Sequence, residues 1–344
     1  MQVLKITKKI AKQGFGKVEA LNASTALPVV LTITFLLLPS LLVSSCTPAD
    51  SSIGKLSGTQ GLNFEFLSLP KKLYYDSSIP LVVRVSNLGG FDVTKLLLWL
   101  DFNLQYFEFD EAGNILGVVQ NVDLRGRTHY YKGSKTVLGL GTLTPIKDAF
   151  SEKFKTINTE LTLTACYPYK TVLEQEVCVG NPATDCEDQH FTFTSQAAPV
   201  AITSLEARPS IHFFRGNPNA PYYSLDLVIT VKNVGEGFPT AFQELINPKD
   251  IIGQLPAEGF TDQDFFQACT NQSQSVYIEA YLSTQKLLCE PSVVKLFDGE
   301  GVVKCYLPHA MSISQAYQAP LVVVLAYTYT QRVSKQLTLY NPAT

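Results

Sequence analysis

From about residue 57 to the end of the chain, apolar and polar positions alternate in short runs such as LVVRVSN, KLLLWLDF and SLDLVITVKN. The runs are rich in Val, Leu, Thr, Tyr and Phe, and Gly, Asn, Pro and Asp separate them. A period of two between turn residues is the pattern of strands with one buried face, so it predicts an all-β sandwich architecture. Long helical periodicity is missing. One segment breaks the alternation: Ala26 to Val43 is apolar apart from Thr32, Thr34 and Ser40.

An internal repeat organises the strands. Residues 74–91, YYDSSIPLVVRVSNLGGF, and residues 222–238, YYSLDLVITVKNVGEGF, share Tyr-Tyr, a β-branched run and Val-x-Asn-[Leu/Val]-Gly. Further on, CYPYKTVLEQEVCVGNP (166–182) aligns without gaps on AYTYTQRVSKQLTLYNP (326–342), with Tyr167, Tyr169, Asn181 and Pro182 on Tyr327, Tyr329, Asn341 and Pro342. Two matches in the same order imply a tandem of two similar sandwiches, at 57–197 and 198–344, with SQAAPVA as the junction. Each copy is expected to close with a hairpin over the second match. The first carries an insertion, FEFDEAGNILGVVQNVDLRGRTHYYKGSKTVLGLG, that reads as further hairpins with a turn at EAGN. In the second, NPKDIIGQ offers an Asn cap with Pro at the first helical position, and TDQDFFQACTN a Thr-x-x-Asp cap, predicting two short helices.

Val85-Ser86-Asn87-Leu88-Gly89 and Val231-Lys232-Asn233-Val234-Gly235 resemble the strand ends of CARDB-type immunoglobulin-like domains of bacterial and archaeal cell surfaces. The openings GLNFEFLSLP and APVAITSLEARP look like those of multidomain surface proteins from archaea with reduced genomes. The resemblance implies two immunoglobulin-like domains and surface display, and it carries no activity. In each motif Asn and Gly are expected to take a left-handed turn into the next strand. Trp99 occupies the strand on which immunoglobulin sandwiches bury a tryptophan, so it is expected in the core.

Charge and cysteines set the compartment. The formal charge of −3 divides into +4 over residues 1–45, where five lysines face Glu19, and −7 over the remainder. A mildly acidic body with no basic run argues against nucleic acid, whose phosphates need clustered Lys and Arg. Lysines followed by an apolar run read as a signal or anchor over 1–45, with an exported body after a linker at 46–56. Val43-Ser44-Ser45-Cys46 resembles the lipobox of bacterial-type lipoproteins, in which the cysteine takes diacylglycerol; the alternative is an uncleaved span ending at Cys46. Either reading places the body on the extracytoplasmic face of the cell membrane.

Six further cysteines, an even count in an exported body, read as disulfides. Cys166 and Cys178 are expected to bridge the closing hairpin of the first copy, Cys289 and Cys305 to meet across FDGEG, and Cys186 to pair with Cys269 by elimination. A metal site is the weaker reading, since CxxC is missing and His129, His190, His212 and His309 are scattered.

Motifs for metalloprotease, serine hydrolase, phosphate-loop and dinucleotide chemistry are missing, and no cofactor is expected. Asp262 with Asp264, and Glu108 with Asp110 and Glu111, read as cap and turn residues rather than an acid/base pair. Asn271-Gln272-Ser273 is a glycosylation sequon. Tyrosine pairs at 74, 130 and 222 raise carbohydrate binding as an alternative, although strand-end Tyr with a buried ring and wet hydroxyl accounts for them. The sequence thus reads as a structural or adhesive surface protein with protein partners; a carbohydrate-binding module and a hydrolase sited in the insertions are the alternatives.

Overall fold

The computed structural model describes residues 56–341 apart from 76, 112, 114, 148–154, 183–185, 215–216, 247–259 and 308–315. The apolar run, Cys46, the linker up to residue 55 and the Asn-capped helix expected at 247–254 lie outside the described residues. From the first repeat come strands β1 (Leu62–Phe66), β2 (Lys72–Tyr74), β3 (Ile79–Asn87), β4 (Val93–Asp101), β5 (Phe107–Glu111), β6 (Val119–Leu124), β7 (Lys135–Pro145), β8 (Thr156–Val179) and β9 (Gln189–Thr192). From the second come β10 (Val200–Phe214), β11 (Asn217–Asn233), β12 (Phe238–Ala241), β13 (Ser275–Leu282), β14 (Gln285–Lys286), β15 (Leu288–Glu290), β16 (Val293–Lys295), β17 (Glu300–Tyr306) and β18 (Tyr317–Tyr340). Helix α1 (Asp262–Thr270) lies between β12 and β13, opened by the Thr261–Asp264 capping box that the sequence predicts.

These strands form three sheets. One facing sheet has the order β1-β3-β7-β5 and the other β15-β17-β11-β10-β9. A nine-stranded central sheet follows β14-β13-β18-β8-β4-β6, with β12 and β2 added on β18 and β16 on β13. The facing sheets repeat each other in register: Leu62 opposes Asn87 as Val200 opposes Asn233, and Ser86 opposes Lys135 as Lys232 opposes Glu300. All-β architecture is therefore what the alternation becomes.

No hairpin closes either copy. β8 and β18 are single strands of 24 residues, antiparallel to each other along their whole length. Pro168 opposes Thr328, flanked by Tyr167 with Tyr329 and Tyr169 with Tyr327. In the gapless sequence alignment Pro168 and Thr328 are counterparts, so a local twofold axis passes between them. The junction is isologous, like that of a symmetric dimer, but within one chain. Pro168 is tolerated mid-strand where β8 has run past β4, whose last partner is Cys166, and is paired on one side only.

Both facing sheets pack on one side of the central sheet. Tyr167, Tyr169, Tyr327 and Tyr329 share that side, since they oppose one another, and they reach β1 at one end and β10 at the other. Around them Leu161, Leu163, Leu173, Leu321, Val323 and Leu337 are all buried. The opposite side carries Lys95, Trp99 and Cys166, and α1 packs over it. Trp99 is consequently not in the core between the sheets, as its position in immunoglobulin sandwiches suggested. It is half-buried, with its ring 6.5 Å from Phe266 of α1. Alternation explains the difference: Leu96 and Leu98 take the inward positions of β4 and leave Trp99 outward.

Candidate functional site

The repeated motif serves the tyrosine cluster. Tyr167 Oη accepts the Leu62 N–H at 3.1 Å and donates to Gln331 Oε1 at 2.9 Å, while Gln331 Nε2 donates to the Leu62 carbonyl at 3.1 Å. Across the axis Tyr327 Oη accepts the Val200 N–H at 3.3 Å and shares a 2.9 Å bond with Thr171 Oγ1, which donates to the Val200 carbonyl at 2.7 Å. Thr171 and Gln331 are counterparts in the repeat, so different side chains perform the same task. Tyr169 accepts from the Phe91 N–H at 3.3 Å, and Tyr329 from the Gly237 N–H at 2.7 Å, again at equivalent positions.

Asn87 and Asn233 fasten the same loops. Asn87 Nδ2 donates to the Phe91 and Leu124 carbonyls at 2.7 and 2.8 Å, and Asn233 Nδ2 to the Gly237 carbonyl at 2.7 Å. Asn87, Gly89, Asn233 and Gly235 do not adopt the left-handed turn expected of them; the positive φ angles fall elsewhere. Glycine is needed for room instead. A Cβ on Gly89 would lie 1.7 Å from Tyr169 Oη, and one on Gly235 would lie 2.3 Å from Tyr329 Oη.

Burial raises the pKa of these phenols, that of Tyr167 and Tyr327 far above the usual value and that of Tyr329 to about 12. Unfolded tyrosine ionises near pH 10, at about the value of the free side chain. Above that pH the folded body holds protons that the unfolded chain has lost, so stability is full below pH 10 and falls as pH rises toward the folded values. Circular dichroism is expected to hold steady to about pH 10 and then collapse together with a cooperative rise in tyrosinate absorbance. Gradual ionisation of all tyrosines with the dichroism unchanged would contradict the buried cluster.

The cysteines pair differently from the expectation in two of three cases. Cys166 bonds Cys269, Cys178 bonds Cys186, and Cys289 bonds Cys305 across the turn as expected. Cys166 and Cys178 cannot meet, because twelve positions along one straight strand separate them by about 40 Å. Cys166 does lie on the outer side of its strand, but α1 covers that side and brings Cys269 to it. The link between the repeats therefore comes from Cys166, not Cys186.

Also on the outer side, Glu279 is only 6% exposed and accepts hydrogen bonds from Tyr277 Oη at 2.9 Å, from Lys286 Nζ at 2.5 Å and from Tyr281 Oη. Its strand position matches that of Trp99 in the first repeat: Glu279 opposes Val324, and Trp99 opposes Thr164. Burial, followed by the neighbouring Glu279, pushes the Tyr277 phenol up to about 12. Every oxygen of this cluster is engaged, which suits a structural replacement for an aromatic contact. Of the carboxylates read as caps and turns, Asp262 pairs with Lys95 at 2.5 Å, Asp264 caps α1, and Glu111 accepts the Leu116 N–H at 2.7 Å, while Glu108, Asp110 and Glu111 lie in β5 rather than in a turn. The two Thr261 hydrogen bonds, side chain then backbone, stabilise the Asp264 carboxylate and lower its pKa.

Asn271 is exposed just beyond α1. His190 lies 3.8 Å from Glu206, and no group of three metal-ligating side chains occurs among the described residues. Tyr74 packs 6.2 Å from Tyr340.

Two surfaces stand out. A shallow groove of about 650 Å³ is lined by Pro291, Val293, Phe297, Gly301 and Val302, and Phe297 is 76% exposed at its edge. Tyr130, at the tip of the loop between β6 and β7, is fully exposed. The groove is formed by β16 and its flanking turns together with the first residues of β17, a segment that the alternation alone did not distinguish from ordinary turns. No helix among the described residues is long and apolar enough to cross a membrane. No protein-family model matches the chain, and no curated protein is significantly similar to it.

Proposed function

We propose that the chain is a membrane-tethered protein of the extracytoplasmic face that acts in structural display or adhesion by binding another protein. The observation that carries this reading is the pairing of all six cysteines after Cys46 into disulfides. Such bonds persist in oxidising compartments outside the cytosol. The basic start and apolar run supply the tether, through lipid on Cys46 or through an uncleaved span. The doubled Val-x-Asn-x-Gly strand end supports placing the body with CARDB-type immunoglobulin-like surface domains.

The groove beside Phe297 supports protein contact, since exposed aromatic anchors beside apolar pockets are where binding energy concentrates. A photocrosslinker placed near Phe297 in the full chain, on intact cells, is expected to capture one surface protein. Phe297→Asp should weaken that complex by at least about tenfold, the loss typical of a buried aromatic anchor. Crosslinks confined to lipid or glycan, or a complex unchanged by the substitution, would overturn the reading.

A further inference from the structure

The body is acidic as a whole, yet one loop gathers cations. Arg125, Arg127 and Lys132 lie between β6 and β7, with Lys135 opening β7. The carboxylates beside them are Asp123, 3.8 Å from Arg125 Nε, and Asp92, which accepts the Gly126 N–H at 2.6 Å. Hydrogen bonds fix the loop. Thr128 Oγ1 accepts the Tyr130 and Tyr131 N–H groups at 3.3 and 3.1 Å, and Ser134 Oγ accepts the Arg125 N–H at 3.1 Å and bonds the Tyr131 hydroxyl at 2.9 Å. Gly133 has a φ of +87°, and a Cβ there would lie 2.0 Å from the Asn87 carbonyl. A rigid loop thus holds the Tyr130 ring wholly in water, two positions before the exposed Lys132 and on the same loop as the exposed Arg125. Aromatic rings beside Lys and Arg are the composition of membrane–water interfaces.

The loop also marks where the chain joins the body. The Arg127 guanidinium donates to the Ser57 carbonyl, and the Gly58 N–H donates to Ser195 Oγ at 2.8 Å. Thirteen residues separate Val43, the end of the apolar run, from Ser57. We propose that the loop from Arg125 to Lys135 is a second membrane contact, docking the body on the anionic headgroups of the leaflet that holds its tether. The proposal rests on the tethered reading above. Each Lys or Arg held near an anionic leaflet strengthens attachment about fivefold, so a few suffice once a tether keeps the loop close.

Tyr130→Trp in the full chain, reconstituted into vesicles containing brominated lipid, tests this; the parent chain, with Trp99 as its only tryptophan, supplies the background. In vesicles of equal parts phosphatidylcholine and phosphatidylglycerol, quenching of the new tryptophan should be at least about twofold that in phosphatidylcholine alone. It should disappear with Lys132→Glu and Lys135→Glu, and in molar salt, where screening acts within about 3 Å. Unquenched tryptophan in protein that floats with anionic vesicles overturns the docking alone. So does an emission shift produced by a soluble acidic polysaccharide when the vesicles produce none, since the loop would then be a glycan site. Protein that does not float with vesicles removes the tethered reading and the docking together.

Discussion

Gly89→Ala is expected to destabilise the body by about 4 kcal/mol, above the usual range of about 1–3 kcal/mol for overpacking. The added methyl would overlap Tyr169 Oη at 1.7 Å and press on the Ala197 and Gln60 carbonyls, both at 2.7 Å. Backbone hydrogen bonds resist the shift: the Ala197 carbonyl accepts the Gly90 N–H at 2.8 Å, and near Gln60 the Gly58 carbonyl accepts the Ala198 N–H at 3.2 Å. Gly235→Ala meets fewer obstacles, chiefly Tyr329 Oη at 2.3 Å and Pro199 Cβ at 3.0 Å, and should cost about 2–3 kcal/mol. Because the first obstacle is a hydroxyl, Tyr329→Phe makes room for the methyl while leaving the Gly237 N–H without its partner. The double variant is therefore expected to cost less than the sum of the two single changes. Urea unfolding with an unchanged denaturant slope measures all four corners of this cycle. Strict additivity would show that the glycine is present for some reason other than the tyrosine.

Replacing Cys166 and Cys269 together by alanine should cost more than replacing Cys178 and Cys186. The first bond spans 103 residues and the second 8. Closing loops of those lengths in the unfolded chain gives about 4.7 and about 2.5 kcal/mol respectively. The longer bond also fastens α1 to β8, and a nine-residue helix does not persist without tertiary support. Amide exchange in α1 should accordingly accelerate in the first double variant and stay unchanged in the second. Equal losses of stability in the two would contradict the assignment of Cys166 to Cys269.

The repeat was legible because its tyrosines are functional parts of the fold. Tyr167, Tyr169, Tyr327 and Tyr329 each occupy a hydrogen-bonded position at the axis, so both copies retain them, and the Asn-x-Gly motifs that receive them recur in the same order. What each residue does was less legible. Asn and Gly after a strand suggest a left-handed turn on composition alone, whereas the need for glycine comes from a hydroxyl about 80 residues away in sequence. The length of β8 escaped for a related reason. Strands average about five to six residues, so a 24-residue run is naturally divided into a hairpin, and that division produced the false Cys166–Cys178 pair. Within β8 only Pro168 interrupts the pattern, and it marks the axis rather than a turn. Trp99 follows the alternation of its own strand, outward between the inward Leu98 and Leu100, rather than the buried place a tryptophan takes in immunoglobulin domains. The Thr261 cap, by contrast, needs four neighbouring residues and no tertiary partner, and the local sequence sufficed.

The export reading, on which the proposed role depends, is tested most directly by peptide mapping under non-reducing conditions of the protein taken from its own membrane fraction. Three linked peptides joining Cys166 to Cys269, Cys178 to Cys186 and Cys289 to Cys305 are expected, in protein that a membrane-impermeant reagent labels on intact cells. Six free thiols, in protein protected from that reagent, would contradict it.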